Sequence, residues 1–371
     1  MGAIYINTLI EYRNVFMVRI LPRFIFPSQP SSQSSGIKPS YIRSPDDGHK
    51  AFATMGNNQE LLAQGAAQRM PRLFLDHPLG TAFSQTPPPG GQVFGHLLLY
   101  PPKGTLLFAT DFHGQFRDFD RMADVFASRR DRGEDVYLLF AGDLIHGFPS
   151  NRELRKHVQP DDSAKVLEFF HVLQEAYPGR VHSLLGNHEQ AHLGSTVVYK
   201  WGYDNAAVFE RVLGPDAINE MKAYFRTWPV AAIAPNGIMF THGSPSINIE
   251  DDLDPLSDLI HAQLDVRTHF MSKLYGSHDP KNNYSVMDFL EALRLKRLQA
   301  ATRFQIHQPS CVIHGHLIDR SGYNIDTPGC LCLSTSYGLE DKKKLYLEID
   351  LAEQYFHASD MREGHELKRL Y

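Results

Sequence analysis

From residue 105 onward, short apolar runs alternate with stretches of helical periodicity, and the apolar runs end in a consistent way. Thr105-Leu106-Leu107-Phe108-Ala109 leads into Thr110-Asp111-Phe112-His113-Gly114-Gln115, and Val136-Tyr137-Leu138-Leu139-Phe140 leads into Ala141-Gly142-Asp143. Val181-His182-Ser183-Leu184-Leu185 leads into Gly186-Asn187-His188-Glu189. Farther on, Gly237-Ile238-Met239-Phe240 ends at Thr241-His242-Gly243, and Cys311-Val312-Ile313 ends at His314-Gly315-His316. Runs of this length, bounded by turn residues, predict buried strands. Each delivers a carboxylate, amide or imidazole at its C-terminal end, the edge of an α/β sheet where ligands collect.

Between these runs the apolar spacing is helical. Phe119, Met122, Val125 and Phe126 predict a helix over 118–130, and Val166, Phe169, Phe170 and Leu173 one over 161–177. Alternating strand and helix implies parallel pairing through right-handed crossovers. Two further helices are predicted over 205–213 and 216–228, split by Gly214-Pro215, and the pattern then changes to strands over 230–234 and 237–241. Helical periodicity returns over 253–274 and 285–304, forming an insertion at about 250–305 before the Cys311 strand. The chain closes on strands over 323–325, 330–334 and 345–349, and residues 94–100 predict an edge strand ahead of the Thr105 strand. The sequence has no internal repeat.

The first 90 residues differ in kind. Residues 28–50 are rich in Ser, Pro, Gly and Gln and predict disorder or a linker, residues 56–70 a short helix, and Pro87-Pro88-Pro89-Gly90-Gly91 a break. We therefore divide the chain into an N-terminal extension, 1–90, and a catalytic domain, 91–371. Residues 11–43 carry five basic residues and one acidic one. That faintly resembles an organellar transit peptide; a start at Met17 or Met55 explains it equally well.

Composition narrows the partners. A net charge of -5 and pI near 6.4 give no reason to expect nucleic acid or an anionic membrane. No apolar run approaches the length of a membrane span. The three cysteines, Cys311, Cys330 and Cys332, are too few for a disulfide framework and are expected as buried thiols of a cytoplasmic protein.

Taken together, Asp-x-His, Gly-Asp, Gly-Asn-His-Glu, His-Gly and the final Gly-His resemble the calcineurin-like metallophosphoesterases. Asp111-Phe-His-Gly-Gln and Gly186-Asn-His-Glu look most like the phosphoprotein (serine/threonine) phosphatase branch, and the resemblance covers roughly residues 104 to 350. It implies a four-layer αββα sandwich carrying two divalent or trivalent transition-metal ions (manganese, iron or zinc). By similarity, Asp111, His113 and Asp143 bind the first metal; Asp143 bridges to the second, which Asn187, His242 and His316 complete. The chemistry is consistent: two ions neutralise the charge of a phosphate ester and lower the pKa of the water between them, and imidazole and amide oxygen suit transition metals. His188 corresponds to the histidine held to protonate the leaving oxygen.

The chain departs from the family pattern at two positions. The family's aspartate partner of that histidine is replaced by His146, and two adjacent imidazoles disfavour protonation of either. The arginine that follows it is replaced by Gly147, leaving Arg152 as the nearest candidate for phosphate, with Arg294, Arg297 and Arg303 in the insertion. His314 has no ligand position in the pattern and is expected to be structural. The expected activity is hydrolysis of a phosphorylated protein or small molecule. A symmetrical dinucleoside-polyphosphate hydrolase and a metal-binding pseudophosphatase remain as alternatives.

Overall fold

The computed structural model describes residues 91–94, 96–147, 156–158, 161–194, 197–200, 203–213, 215–244 and 309–371. The extension 1–90, Arg152 and the insertion with its helices and arginines lie outside the described residues.

In chain order the elements begin with β1 (Gln92–Phe94), β2 (Leu97–Leu99), β3 (Thr105–Ala109), α1 (Phe116–Asp131), β4 (Val136–Phe140) and α2 (Ser163–Ala176). Then come β5 (Val181–Ser183), α3 (Asn187–Ala191), β6 (Tyr199–Lys200), β7 (Tyr203–Asp204), α4 (Asn205–Leu213) and α5 (Pro215–Phe225). The remainder is strands: β8 (Ala231–Ala234), β9 (Ile238–Thr241), β10 (Cys311–His314), β11 (Tyr323–Thr327), β12 (Cys330–Leu333), β13 (Leu345–Asp350) and β14 (Leu367–Arg369). One sheet runs β14-β13-β3-β4-β5 and a second runs β1-β2-β8-β9-β10-β12-β11, while β6 and β7 form a separate hairpin.

The two large sheets pack face to face. On β3, Leu106 and Phe108 join the apolar layer shared with Phe240 and Ile313 of the other sheet, whereas Leu107 and Ala109 point the opposite way. That alternation follows from the two-residue period of a strand. The rings of Phe108 and Phe240 meet across the layer at 4.8 Å. On the outer face of the five-stranded sheet, Phe140 stacks on Phe119 of α1 at 5.2 Å and meets Phe170 of α2 edge-on at 5.7 Å. Strands covered on both faces read as continuous apolar runs, which is why β3 and β4 stand out in the sequence. Each buried phenylalanine contributes roughly 1.5–3 kcal/mol. The result is the two-sheet α/β core of the expected sandwich.

Register places the site. β3, β4 and β5 are parallel, with Ala109 opposite Phe140 and Phe140 opposite Ser183, so their loops leave the sheet at one level. β9 and β10 are also parallel, with Thr241 opposite His314. Asp111, Asp143, Asn187, His242 and His316 therefore all emerge at one end of the two sheets.

Some elements differ from expectation. The single edge strand over 94–100 is two short strands, β1 and β2, paired antiparallel, and β2 continues in parallel to β8. The short elements α3, β6, β7 and β14 were not predicted, being too short to carry a period. All three cysteines are free and buried, as expected. Among the described residues, no helix is long and apolar enough to cross a membrane.

Candidate metal centre

Asp143 lies at the middle of the cluster. Its Oδ2 lies 3.5 Å from His113 Nε2, 3.4 Å from His242 Nε2 and 3.8 Å from His188 Nε2. Its Oδ1 accepts the backbone amide of His188 at 3.0 Å. One oxygen is thus tied to the backbone and the other faces three imidazole nitrogens. Donor atoms of Asp143, His113 and His188 lie within 4.8 Å of one another, as do those of Asp143, His242 and His316.

Hydrogen bonds to backbone carbonyls fix the imidazoles. His242 Nδ1 donates to Ala141 O at 2.7 Å and His113 Nδ1 to Ile145 O at 3.1 Å, because a carbonyl can only accept. In the neutral form each ring therefore turns its Nε2 lone pair inward. His242 Nε2 then stands 2.9 Å from Asn187 Oδ1 and 3.1 Å from His316 Nδ1, and the latter two are 2.9 Å apart. Lone pairs converging at these distances call for a cation between them. Buried Asp111, Asp143 and Glu189 add negative charge on every side. Burial lowers the pKa of His242, but the charges of Asp143, Asp111 and Glu189 outweigh it and push it up to about 9. In an ion-free protein a proton supplies the positive charge; a metal ion supplies it equally well at the same atoms. The donor set fits metal binding.

Burial, reinforced by the charge of Asp143, raises Asp111 to about 6 against the opposing pull of His242. Asp143 behaves differently: burial raises it, but His242, His188 and His113 together hold it well below the usual carboxylate range. It is the carboxylate of the cluster kept ionised, a state that suits it to be shared between two cations.

The backbone is bent to make this possible. Among the described residues, the non-glycine residues with positive φ are Asp111, His113, Asp143, His146 and His316, all in this cluster. Such conformations cost about 1–3 kcal/mol each and concentrate where function imposes them. Both Asp111 oxygens receive the amide of His316, at 3.1 and 2.9 Å, which locks the β3 loop to the β10 loop. Gly315 permits this approach, since a Cβ there would come within 2.3 Å of Asp111 Oδ2.

Two contributors carried no assigned role in the sequence reading. Glu189, fully buried, accepts the amides of Asp143 and Leu144 at 2.9 Å each and of Gly186 at 3.1 Å. It was visible as the last letter of Gly-Asn-His-Glu, but its partners were not. Tyr337 donates its amide to Asp111 O at 3.0 Å and lays its ring 4.4 Å from that of His113. Nothing local in the sequence marks it.

Gly147 explains the absent arginine. A Cβ there would meet His113 O at 2.5 Å, so this backbone has closed over the position where a longer side chain would start. His314 is fully buried on β10 and its Nδ1 donates to Gly315 O at 2.9 Å.

The sequence profile of the calcineurin-like phosphoesterases matches residues 104–319. The chain belongs to the calcineurin-like phosphoesterase family. It is a phosphoester hydrolase of a family that uses a dinuclear metal centre. Among solved structures, it is similar to a protein serine/threonine phosphatase from Saccharomyces cerevisiae at 16% identity, covering 81% of this chain and 89% of that one, with a TM-score of 0.44. A cold-active protein-tyrosine phosphatase of a psychrophilic Shewanella species matches at 18% identity over 70% of this chain and 79% of its own, TM-score 0.37. A metallophosphoesterase from Sphaerobacter thermophilus matches at 12% identity over 68% and 85%, TM-score 0.33. In this calcineurin-like phosphoesterase, the motif residues from five separate strand ends form one cluster, buried except for the half-buried Asn187 and His316.

Proposed function

We propose that this phosphoesterase hydrolyses phosphomonoesters, with phosphoserine and phosphothreonine in proteins as the substrate class, at a centre of two transition-metal ions. The observation carrying this is the shared carboxylate: Asp143 Oδ2 faces His113 on one side at 3.5 Å and His242 on the other at 3.4 Å. Asp111, His113 and Asp143 would hold one ion, and Asp143, Asn187, His242 and His316 the other. Bound there, the ions would offset the charge of the ester and acidify water.

The chain's own groups do the rest. Glu189 clamps the Asp143 loop, and His188 presents Nε2 beside Asp143 as the proton donor for the leaving oxygen. A cavity of about 220 Å³ is lined by His157, Arg320, Lys342 and Lys343, together with Gly338, Leu339 and Glu340. Gly338 of its lining is the chain neighbour of Tyr337, whose ring meets that of His113. The cavity's excess of cationic groups supports an anionic substrate approaching from that side. We assign catalysis to residues 91–371, with the insertion 250–305 and Arg152 as further substrate contacts.

Manganese-supplemented assays on a phosphoserine peptide, a phosphotyrosine peptide, diadenosine tetraphosphate and p-nitrophenyl phosphate test this reading. The phosphoserine peptide is expected to give the higher kcat/KM among the physiological esters. Preference for diadenosine tetraphosphate would move the protein to the dinucleoside class, and binding of the peptide without turnover to the pseudophosphatases.

A further inference from the structure

His188 Nδ1 lies 3.0 Å from His146 Nδ1, but the contact does not end there. His146 Nε2 lies 3.1 Å from His192 Nε2, and His192 Nδ1 lies 2.9 Å from Glu210 Oε1. The same Glu210 oxygen receives Lys222 Nζ at 2.8 Å. Three buried imidazoles therefore run in line from the metal centre to a carboxylate on α4, itself anchored to α5. Phe209 and Phe225 flank the line: Phe209 lies 5.6 Å from His146 and 5.8 Å from His192, and Phe225 lies 6.0 Å from His192.

Donor and acceptor roles follow from the carboxylate end. The hydrogen bond from His192, aided by Lys222, holds Glu210 below its ordinary pKa, so it is ionised and can only accept. His192 must therefore carry its proton on Nδ1. Burial lowers the pKa of His192 and keeps the ring neutral, which leaves Nε2 as a bare acceptor. His146 must then donate from Nε2, leaving its own Nδ1 bare. That atom can only accept, so His188 must donate from Nδ1. By elimination, the nitrogen His188 offers to the centre is Nε2, which faces Asp143 Oδ2 at 3.8 Å.

We propose that Glu210, acting through His192 and His146, is a positioning residue that sets the tautomer and ring orientation of His188. A lone imidazole at position 146 would leave both tautomers of His188 open. A line that ends on a carboxylate removes the choice, because each proton position dictates the next. Hydrogen-bond chains in a low-dielectric interior reinforce one another. The inference rests on the proposed role of His188 as proton donor, which uses the imidazolium form: Nδ1–H stays on the line while Nε2 carries the proton for the leaving oxygen, whereas the neutral ring has Nε2 bare. The tautomer order itself does not require that role.

Long-range 15N–1H correlation of histidine-labelled, zinc-loaded full-length protein reads the tautomers directly. The expected pattern is Nδ1–H on His192, Nε2–H on His146 and Nδ1–H on His188. In Glu210→Leu, which removes the terminal acceptor, His188 is expected to become a mixture of tautomers. Its kcat on the phosphoserine peptide is expected to fall at least about tenfold with KM unchanged, and to fall less on p-nitrophenyl phosphate, whose leaving group needs no proton. Glu210→Gln, which keeps an acceptor oxygen, is expected to restore most of both. A His188 protonated on Nε2 but not on Nδ1 in the wild-type protein overturns the proposal even if Glu210→Leu does not fold, as does an unchanged His188 tautomer in that variant. Wild-type protein with the expected tautomers but no phosphoesterase activity would reject the functional reading and leave the relay standing.

Discussion

The carboxylate of Glu189 accepts the backbone amide of Asp143 at 2.9 Å, while Asp143 accepts the amide of His188, the residue before Glu189, at 3.0 Å. Each loop thus supplies the acceptor for the other's backbone. The β4 and β5 loops behave as one unit, so Asp143, the proposed shared ligand, cannot shift without displacing His188, the proposed proton donor. Such supporting contacts fix ligand orientation and tune the metal.

Glu189→Gln tests that unit. A glutamine has one acceptor oxygen, and its amide group would face backbone N–H donors that now point at Glu189 Oε1 and Oε2. Leaving a buried donor unsatisfied costs about 1–3 kcal/mol, and loss of a supporting contact typically lowers metal affinity about 10–100-fold. Thermal melting and manganese titration should both register the change. Unaltered metal affinity in a folded variant would show that the brace does not govern the centre.

Gly315→Ala separates packing from chemistry. The added methyl would lie 2.3 Å from Asp111 Oδ2, so the carboxylate must move away from the amide of His316. We expect a folded protein that binds fewer than two ions per chain, measured by metal analysis after gel filtration. Full loading would mean that Asp111 is not a ligand.

Stability of the metal-free protein should fall as pH rises. His242 is raised from 6.5 to about 9, so its contribution is complete below pH 6.5 and lost as pH climbs through 9. Asp111 and Glu189, both raised chiefly by burial, to about 6 and about 7, act in the same direction. Each binds its proton more tightly folded than unfolded, so stability declines as pH rises from the ordinary carboxylate value through those numbers. Asp143, held low, contributes above the ordinary carboxylate value and loses that contribution only under acid. His182, lowered by burial to about 4, and His192, also lowered by burial, act the opposite way, but their contribution is complete by pH 6.5. Melting temperature without metal should therefore drop between pH 6.5 and 9, where His242 titrates, and saturating metal should flatten the slope. A metal-free melting temperature that rises across this window would contradict the assignment.

The sequence made the strands legible wherever both faces are buried, as in β3 and β4, because such runs lack polar interruption. It made the candidate ligands legible because each sits just beyond a strand end, so one-dimensional position determines three-dimensional edge. The edge hairpin β1–β2 was read as one strand because Leu97, Leu98, Leu99 and Tyr100 continue the apolar run from Phe94 with little polar interruption. Glu189, His192, Glu210 and Tyr337 escaped for a different reason. Their roles depend on partners brought together by α3, α4 and the loop after β12, and no local period encodes such contacts. Gly147 was visible as a missing arginine, but only the backbone reveals that His113 O occupies the space.

His188→Ala should discriminate between leaving groups. Proton donation matters when the departing oxygen is basic and typically contributes about 10²–10⁴-fold. The loss should be much larger on a phosphoserine peptide than on p-nitrophenyl phosphate. His188 Nε2 also lies in the donor group with His113 and Asp143, so equal losses on both substrates would indicate that it supports metal binding instead.

The most direct measurement is a manganese titration of thoroughly stripped protein, following p-nitrophenyl phosphate turnover and bound metal together. The account predicts no turnover without metal, recovery that completes at two ions per chain, and severe loss of both in Asp143→Asn. Full turnover in the stripped protein, or saturation of activity at one ion with Asp143→Asn unimpaired, would contradict it.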